Sequence, residues 1–142
     1  MSWLIKEKFK TIANREVLSF LMECSPSAHS DLVDEFRFAA QSAPGVHFYC
    51  PDTSKYAFFA AHLTDYTIVA LALGMRKIVF RLPESLIFDA AQDGGVSFPE
   101  IGPEWVSFTL ASSNESEIES RRKLGHWFRK ALQTNAKRES SK

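Results

Sequence analysis

The chain has 142 residues, 45% of them apolar and 24% charged, with a formal net charge of zero. This length and composition are those of one globular domain that needs no disulfide or metal to hold its core. The charge is uneven: residues 1–120 hold nine basic and sixteen acidic side chains, whereas residues 121–142 hold eight basic and one acidic. A uniformly basic nucleic-acid-binding protein is therefore excluded, while a basic C-terminal segment on an acidic body is not.

Two helices are predicted first, because apolar residues from Phe9 to Leu21 recur at spacings of three and four. Pro26 ends this helix, and a second helix runs from a cap near Ser27 or Ser30 to Pro44. The period then changes towards two, which indicates β-structure with tight turns at 64–65 and 74–75. The predicted strands cover residues 46–50, 56–63, 66–73 and 77–82, and the last three form an antiparallel meander.

The remaining elements are a short helix from Pro83 to Gly94, a fifth strand over residues 105–110 and a last helix. The last helix begins at Asn114 or Ser116, and its apolar stripe is Leu124, Phe128 and Leu132. We therefore expect a single α+β domain over residues 1–136, followed by a frayed basic tail over residues 137–142. Its antiparallel sheet has about five strands, with the N-terminal helical pair and the C-terminal helix packed on one face.

Part of this order resembles known families. The resemblance depends on five elements that follow one another in the chain. They are a strand like residues 77–82, a helix like 84–93, a Gly-rich loop, a Trp-containing strand at Trp105 and a closing helix like 124–132. In this order residues 56–136 resemble the small α+β domains of the YjbR-like and TfoX N-terminal families. The resemblance implies a fold and carries over no catalytic residues.

The location is predicted from the N-terminus and the cysteines. The first eight residues turn charged before an apolar segment could form, so we expect no secretory signal. Cys24 and Cys50 are the only cysteines, and we expect both to be free thiols in the cytoplasm. The apolar run 56–75 approaches the length of a membrane span, but Asp65 in its middle would cost roughly 2.5–3.5 kcal/mol in a bilayer. We therefore expect no membrane association.

Candidates for chemistry are few. His62 and Asp65 bracket one hairpin end, where the carboxylate could orient the imidazole as a general base, although a turn Asp ordinarily bonds its own backbone. His47 and Cys50 could share a metal ion only if the strand bent, and no further ligand lies at metal-site spacing. We therefore predict no metal, no cofactor and no evident catalysis.

The basic C-terminal helix offers a nucleic-acid alternative through Arg122, Arg129 and Lys130. Acidic residues precede these bases along the helix, which is the order that the helix dipole favours without any ligand. Exposed aromatic residues are not interleaved with the bases as single-strand binding requires. The pattern consequently argues against nucleic-acid binding as the main function.

The aromatic content favours association instead. The chain has 12 Phe, 3 Trp and 3 Tyr, more than the predicted stripes absorb. Phe38, Phe59, Phe98 and Trp127 fall outside or at the edge of those stripes, so we expect them to form an exposed surface for a ligand or partner. In the competing interpretation the N-terminal helices cover the second face of the sheet and all of these residues are buried. The favoured function is non-covalent binding of a protein partner or a second copy. The alternative is a small enzyme or ligand-binding pocket that uses His62, Asp65 and His47.

Overall fold

The computed structural model describes residues 9–24, 30–41, 47–49, 59–62, 66–74, 76–109 and 114–140. These ranges form an α+β arrangement, as predicted. The helices are α1 (Arg15–Cys24), α2 (Ser30–Gln41), α3 (Glu84–Gln92) and α4 (Asn114–Ser140). The strands are β1 (His47–Tyr49), β2 (Phe59–His62), β3 (Ile68–Leu73), β4 (Lys77–Arg81), β5 (Val96–Ser97) and β6 (Trp105–Thr109).

The strands form one antiparallel sheet in the order β1-β2-β3-β4-β6-β5. The predicted meander is confirmed, because β2, β3 and β4 are neighbours both in the chain and in the sheet. The sequence predicts about five strands, and the structure adds the edge strand β5. With two residues, β5 is too short to show an alternating pattern, and it therefore reads as part of a turn-rich stretch.

Helices cover both faces of the sheet, whereas the favoured prediction from the sequence places helices on one face and only the competing interpretation covers the second. On the first face, here called the α4 face, helices α2, α3 and α4 pack over β3, β4 and β6. On the second, here called the α1 face, helix α1 and the loop after β5 pack over the same strands. Strand β4 shows the alternation, since Ile78 and Phe80 belong to the α4 face and Val79 to the α1 face. The prediction fails because all three central strands carry apolar residues at successive positions.

Helix α4 is anchored at the centre of the α4 face. The Phe128 side chain is fully buried, with its ring centroid 5.3 Å from that of Phe36 and 5.0 Å from that of Phe80. Leu124 is buried as well, so the predicted stripe is part of the core. The helix extends to Ser140, and no Gly or Pro follows residue 125 to stop it. No helix in the described ranges has the length and apolar character to cross a bilayer.

The segment before α1 departs from the predicted helix. A 3₁₀ turn over Ile12–Asn14 precedes α1, and Ile12 is 91% exposed although the helical pattern places it on the apolar stripe. The fully buried Asn14 causes this: its amide nitrogen donates to the carbonyls of Phe9 and Tyr66, each at 2.8 Å. Its oxygen accepts from the Ile68 backbone N–H at 2.8 Å. One side chain thereby joins the start of α1 to the start of β3.

Arg81 makes a second connection on the α1 face. Its Nη1 donates to the carbonyl of Ala13 at 2.7 Å, and its Nε lies 3.6 Å from Oε1 of Glu104. The backbone N–H of Leu82 also donates to the carbonyl of Glu104 at 2.7 Å. These contacts hold the segment before α1 and the loop before β6 against the end of β4.

Candidate functional site

An open groove lies on the α1 face beside the turn between β3 and β4. Its volume is about 360 Å³, within the range of roughly 300–1,000 Å³ found for small-molecule sites. Three separate parts of the chain contribute to it: helix α1, the β3–β4 turn, and the segment from β5 to β6. The residues that line it are Phe20, Leu73, Gly74, Arg76, Lys77, Phe98 and Thr109.

The floor of the groove is apolar and held in place. The rings of Phe20 and Phe98 meet edge to face, with their centroids 5.6 Å apart and an interplanar angle of 79°. Phe98 follows β5, and its backbone N–H donates to the carbonyl of Trp105 at 2.8 Å, which fixes its position beside β6. Leu73 is the last residue of β3 and completes the floor. The floor is therefore built by side chains that the core already orders.

Two adjacent cations stand at the rim. Gly74 has a φ of 65°, which suits the tight turn, and Arg76 and Lys77 follow directly after that turn. The Lys77 Nζ lies 5.3 Å from the centroid of the Phe98 ring, within the range of a cation–π contact. Of the described residues that line the groove, none is acidic. The groove therefore offers an apolar floor and a positive edge.

The chemistry of this lining is that of binding. Thr109 supplies a hydroxyl, and no described lining residue supplies a carboxylate, an imidazole or a thiol. A general base or an activated nucleophile needs a second titratable group within hydrogen-bond reach. The described lining can therefore bind and orient a molecule, and it holds no pair of groups that would transform one.

A second polar cluster joins α3 to α4 on the other face. Asp93 caps the end of α3; its Oδ2 accepts from Trp127 Nε1 at 2.8 Å and its Oδ1 from Arg122 Nη2 at 3.3 Å. Burial raises the pKa of the Asp93 carboxyl. The Trp127 hydrogen bond and the charges of Arg122 and Lys123 outweigh that effect, so the pKa lies below its ordinary 3.8.

This cluster corrects the prediction that Trp127 is an exposed surface residue. The side chain is only 2% exposed, because its indole stacks on Phe108 at a centroid distance of 5.6 Å and its N–H is bonded to Asp93. Phe98 is likewise a core residue, 8% exposed, packed on Phe20. A tryptophan next to Phe128 on the same helix can share its core, since both residues lie on one broad buried face of α4.

The nucleic-acid candidates lie on α4 but do not form a uniform cationic surface. Arg122 is engaged with Asp93, while Arg129 is exposed and Lys130 is half-buried. His126 lies among them; burial and the Lys130 charge lower its pKa, more than the Asp93 charge raises it. The lowered pKa favours the neutral imidazole, so His126 adds little to the positive charge of the helix.

Phe38 is the predicted surface aromatic residue that the structure places in solvent. Its side chain is 61% exposed on α2, and the guanidinium of Arg121 lies 5.4 Å from its ring centroid. Arg121 also bonds both carboxylate oxygens of Glu35 at 3.2 Å. This arrangement links α2 to α4. Phe59 belongs to β2, and its side chain lies outside the described residues.

The predicted catalytic candidates lie elsewhere. His47 is exposed on β1, and the sheet register places its backbone opposite that of His62 on β2. The His62 side chain and the whole of Asp65 lie outside the described residues. Among the side chains that the structure describes, no three His, Cys, Asp or Glu residues are grouped so as to hold a metal ion.

Of the groove residues, Phe98 is predicted from the sequence as part of a ligand or partner surface, and the others are not predicted as site residues. Residues 74–75 are predicted only as a turn. The available signal is the pair of adjacent cations Arg76 and Lys77, which begins two residues after Gly74. The contact between Phe20 and Phe98 could not be predicted from the sequence, because these residues are distant in the chain and meet only when α1 packs on the second face of the sheet.

Comparison with known proteins adds no family. The chain matches no family model, no curated protein and no solved structure. The likeness of residues 56–136 to the YjbR-like and TfoX N-terminal families therefore stays a prediction about fold. Function is inferred from the groove and from the exposed residues alone.

Proposed function

We propose that this domain binds a small molecule non-covalently in the groove on the α1 face. The observation that supports this most is a preformed apolar floor, made by Phe20, Leu73 and Phe98, beside two cations. A concave apolar surface with a few polar groups is the usual form of a ligand site.

The enzyme alternative finds less support at this site. In the sheet register His62 pairs with Ile68 at the first end of β3, while the groove lies at Leu73, the other end. At about 3.3 Å per residue, these ends are roughly 16 Å apart. The backbone of the histidine candidate is therefore remote from the groove.

A second candidate function is association with a protein partner or a second copy of the chain. The exposed Phe38 favours it, because an aromatic ring beside the Glu35–Arg121 pair combines apolar and polar contacts. The open sheet face that first suggested association is covered by α1. Among the predicted surface aromatic residues whose side chains the structure describes, Phe38 is the exposed one.

We also propose a family relationship and a cellular location. A relationship of residues 56–136 to the YjbR-like and TfoX N-terminal domains rests on the order of the helices and strands. A cytoplasmic location rests on the expectation of two free thiols at Cys24 and Cys50. Neither expectation affects the groove.

The groove is tested with a neutral apolar fluorescent probe, N-phenyl-1-naphthylamine, and one blocking variant. Thr109 is exposed on β6, where a tryptophan is well tolerated, and Thr109→Trp places an indole in the groove. The control Gln133→Trp adds the same group to exposed α4, on the other side of the sheet. We expect wild type and Gln133→Trp to bind the probe equally and Thr109→Trp to bind at least tenfold more weakly. Unchanged binding by a folded Thr109→Trp would refute the proposal.

A further inference from the structure

The positions of Arg76 and Lys77 identify the chemistry of the groove's ligand. We infer that the ligand is a small amphipathic carboxylate, with its apolar chain on the floor and its carboxylate at these two cations. This inference rests on the proposed function, that the groove is a binding site. It adds the class of ligand and the residues that select it.

The local charge of the groove is opposite to that of the body around it. Residues 1–120 carry seven more acidic than basic side chains, yet the described lining has two cations and no acid. Charges more than about 8–10 Å away are largely screened at physiological ionic strength, so the nearby cations dominate at the groove. An arginine fork and a lysine ammonium are the side chains that best pair with a carboxylate.

The cations and the floor are arranged to act on one molecule. The Lys77 Nζ lies 5.3 Å from the centroid of Phe98, so the positive charge and the apolar floor are in direct contact. The Phe98 ring is itself fixed against Phe20. A ligand whose charge directly adjoins an apolar chain can satisfy both surfaces, whereas a fully polar anion would leave the floor bare.

The described lining does not favour a phosphate group. It includes no helix N-terminus, which phosphate sites commonly use. A carboxylate on a short apolar chain fits the apolar floor and the two adjacent cations.

The experiment compares three ligands of equal chain length by calorimetric titration: decanoate, decanol and decyltrimethylammonium. Each is titrated into wild type, into Thr109→Trp, into Arg76→Gln/Lys77→Gln, and into Lys123→Gln/Arg129→Gln. The last variant removes two positive charges from α4, on the opposite side of the sheet. We expect wild type to bind decanoate at least tenfold more tightly than decanol, and to bind decyltrimethylammonium most weakly of the three. Raised salt should weaken decanoate binding alone.

The variants separate the two claims. Arg76→Gln/Lys77→Gln should lose at least tenfold in decanoate affinity and keep its decanol affinity, while the α4 variant should match wild type for both. If decanoate and decanol bound equally, and Thr109→Trp blocked both, the groove would be a binding site without anion selectivity and the inference would be wrong. If no ligand bound, or if Thr109→Trp changed nothing, the proposed function would fail as well.

Discussion

Asn14 is the residue whose replacement tests the packing of α1 on the sheet most sharply. Its buried side chain donates to two backbone carbonyls and accepts from the Ile68 N–H, joining positions that lie 52 and 54 residues apart. The change Asn14→Ala removes all three hydrogen bonds. It leaves the Ile68 amide inside the sheet without its acceptor.

The size of the effect follows from these contacts. Each bond contributes about 0.5–1.5 kcal/mol net, and a buried group left unsatisfied costs about 1–3 kcal/mol. We therefore expect Asn14→Ala to lower the free energy of unfolding by about 3–4 kcal/mol. With a urea m value of about 2 kcal/mol/M, the unfolding midpoint falls by about 1.5–2 M. Ser19→Ala, at an exposed position of α1, is the control and should change stability by less than about 0.5 kcal/mol.

The matched variant Asn14→Asp adds a test by pH. Its carboxylate would face the carbonyls of Phe9 and Tyr66, so the folded state should raise its pKa above the ordinary value. A raised carboxyl pKa means that the folded state binds the proton more tightly than the unfolded state does. The loss of unfolding free energy in Asn14→Asp relative to wild type should therefore become smaller as the pH falls. A loss under 1 kcal/mol for Asn14→Ala at an unchanged m value would refute the reasoning.

Three further predictions concern the other face. Phe128→Ala should cost about 3–5 kcal/mol in urea unfolding, whereas Phe38→Ala should cost less than about 1 kcal/mol; equal losses would contradict the assigned burial. Because the folded state lowers the pKa of Asp93, its carboxylate stabilises the fold at pH values above its ordinary pKa of 3.8, and this contribution disappears on acidification. The difference in unfolding free energy between wild type and Asp93→Asn should therefore become smaller below about pH 4. Parallel pH profiles would contradict that contribution. Sedimentation tests association: a mass that rises with concentration and is abolished by Phe38→Ala supports the second candidate function, and a constant monomer mass excludes self-association.

The sequence predicts the elements well where the apolar period is long and unambiguous. The β2–β3–β4 meander, the helix after Pro83 and the buried stripe of α4 at Leu124 and Phe128 are all confirmed. Each depends on local information, namely a repeated spacing bounded by a turn residue. The turn at Gly74 is of the same kind, since its positive φ is a property of the residue type.

The features that the sequence does not predict depend on contacts between distant segments. Asn14 reads as one polar residue in a helical pattern, and only its bonds to Tyr66 and Ile68 reveal why the helix begins late. Trp127 reads as a surplus aromatic residue because its partner Asp93 lies on another helix. The groove cannot be predicted from the sequence for the same reason, because no spacing of apolar residues along the chain indicates that Phe20 lies next to Phe98.

The most direct measurement of the central claim is a titration of ¹⁵N-labelled protein with decanoate, followed by amide chemical shifts. Binding in the groove predicts saturable shifts concentrated at Gly74, Lys77, Phe98 and Thr109, with the amides of Arg129 and Gln133 on α4 unmoved. Shifts that concentrate on α4, or a spectrum that does not change, would contradict it.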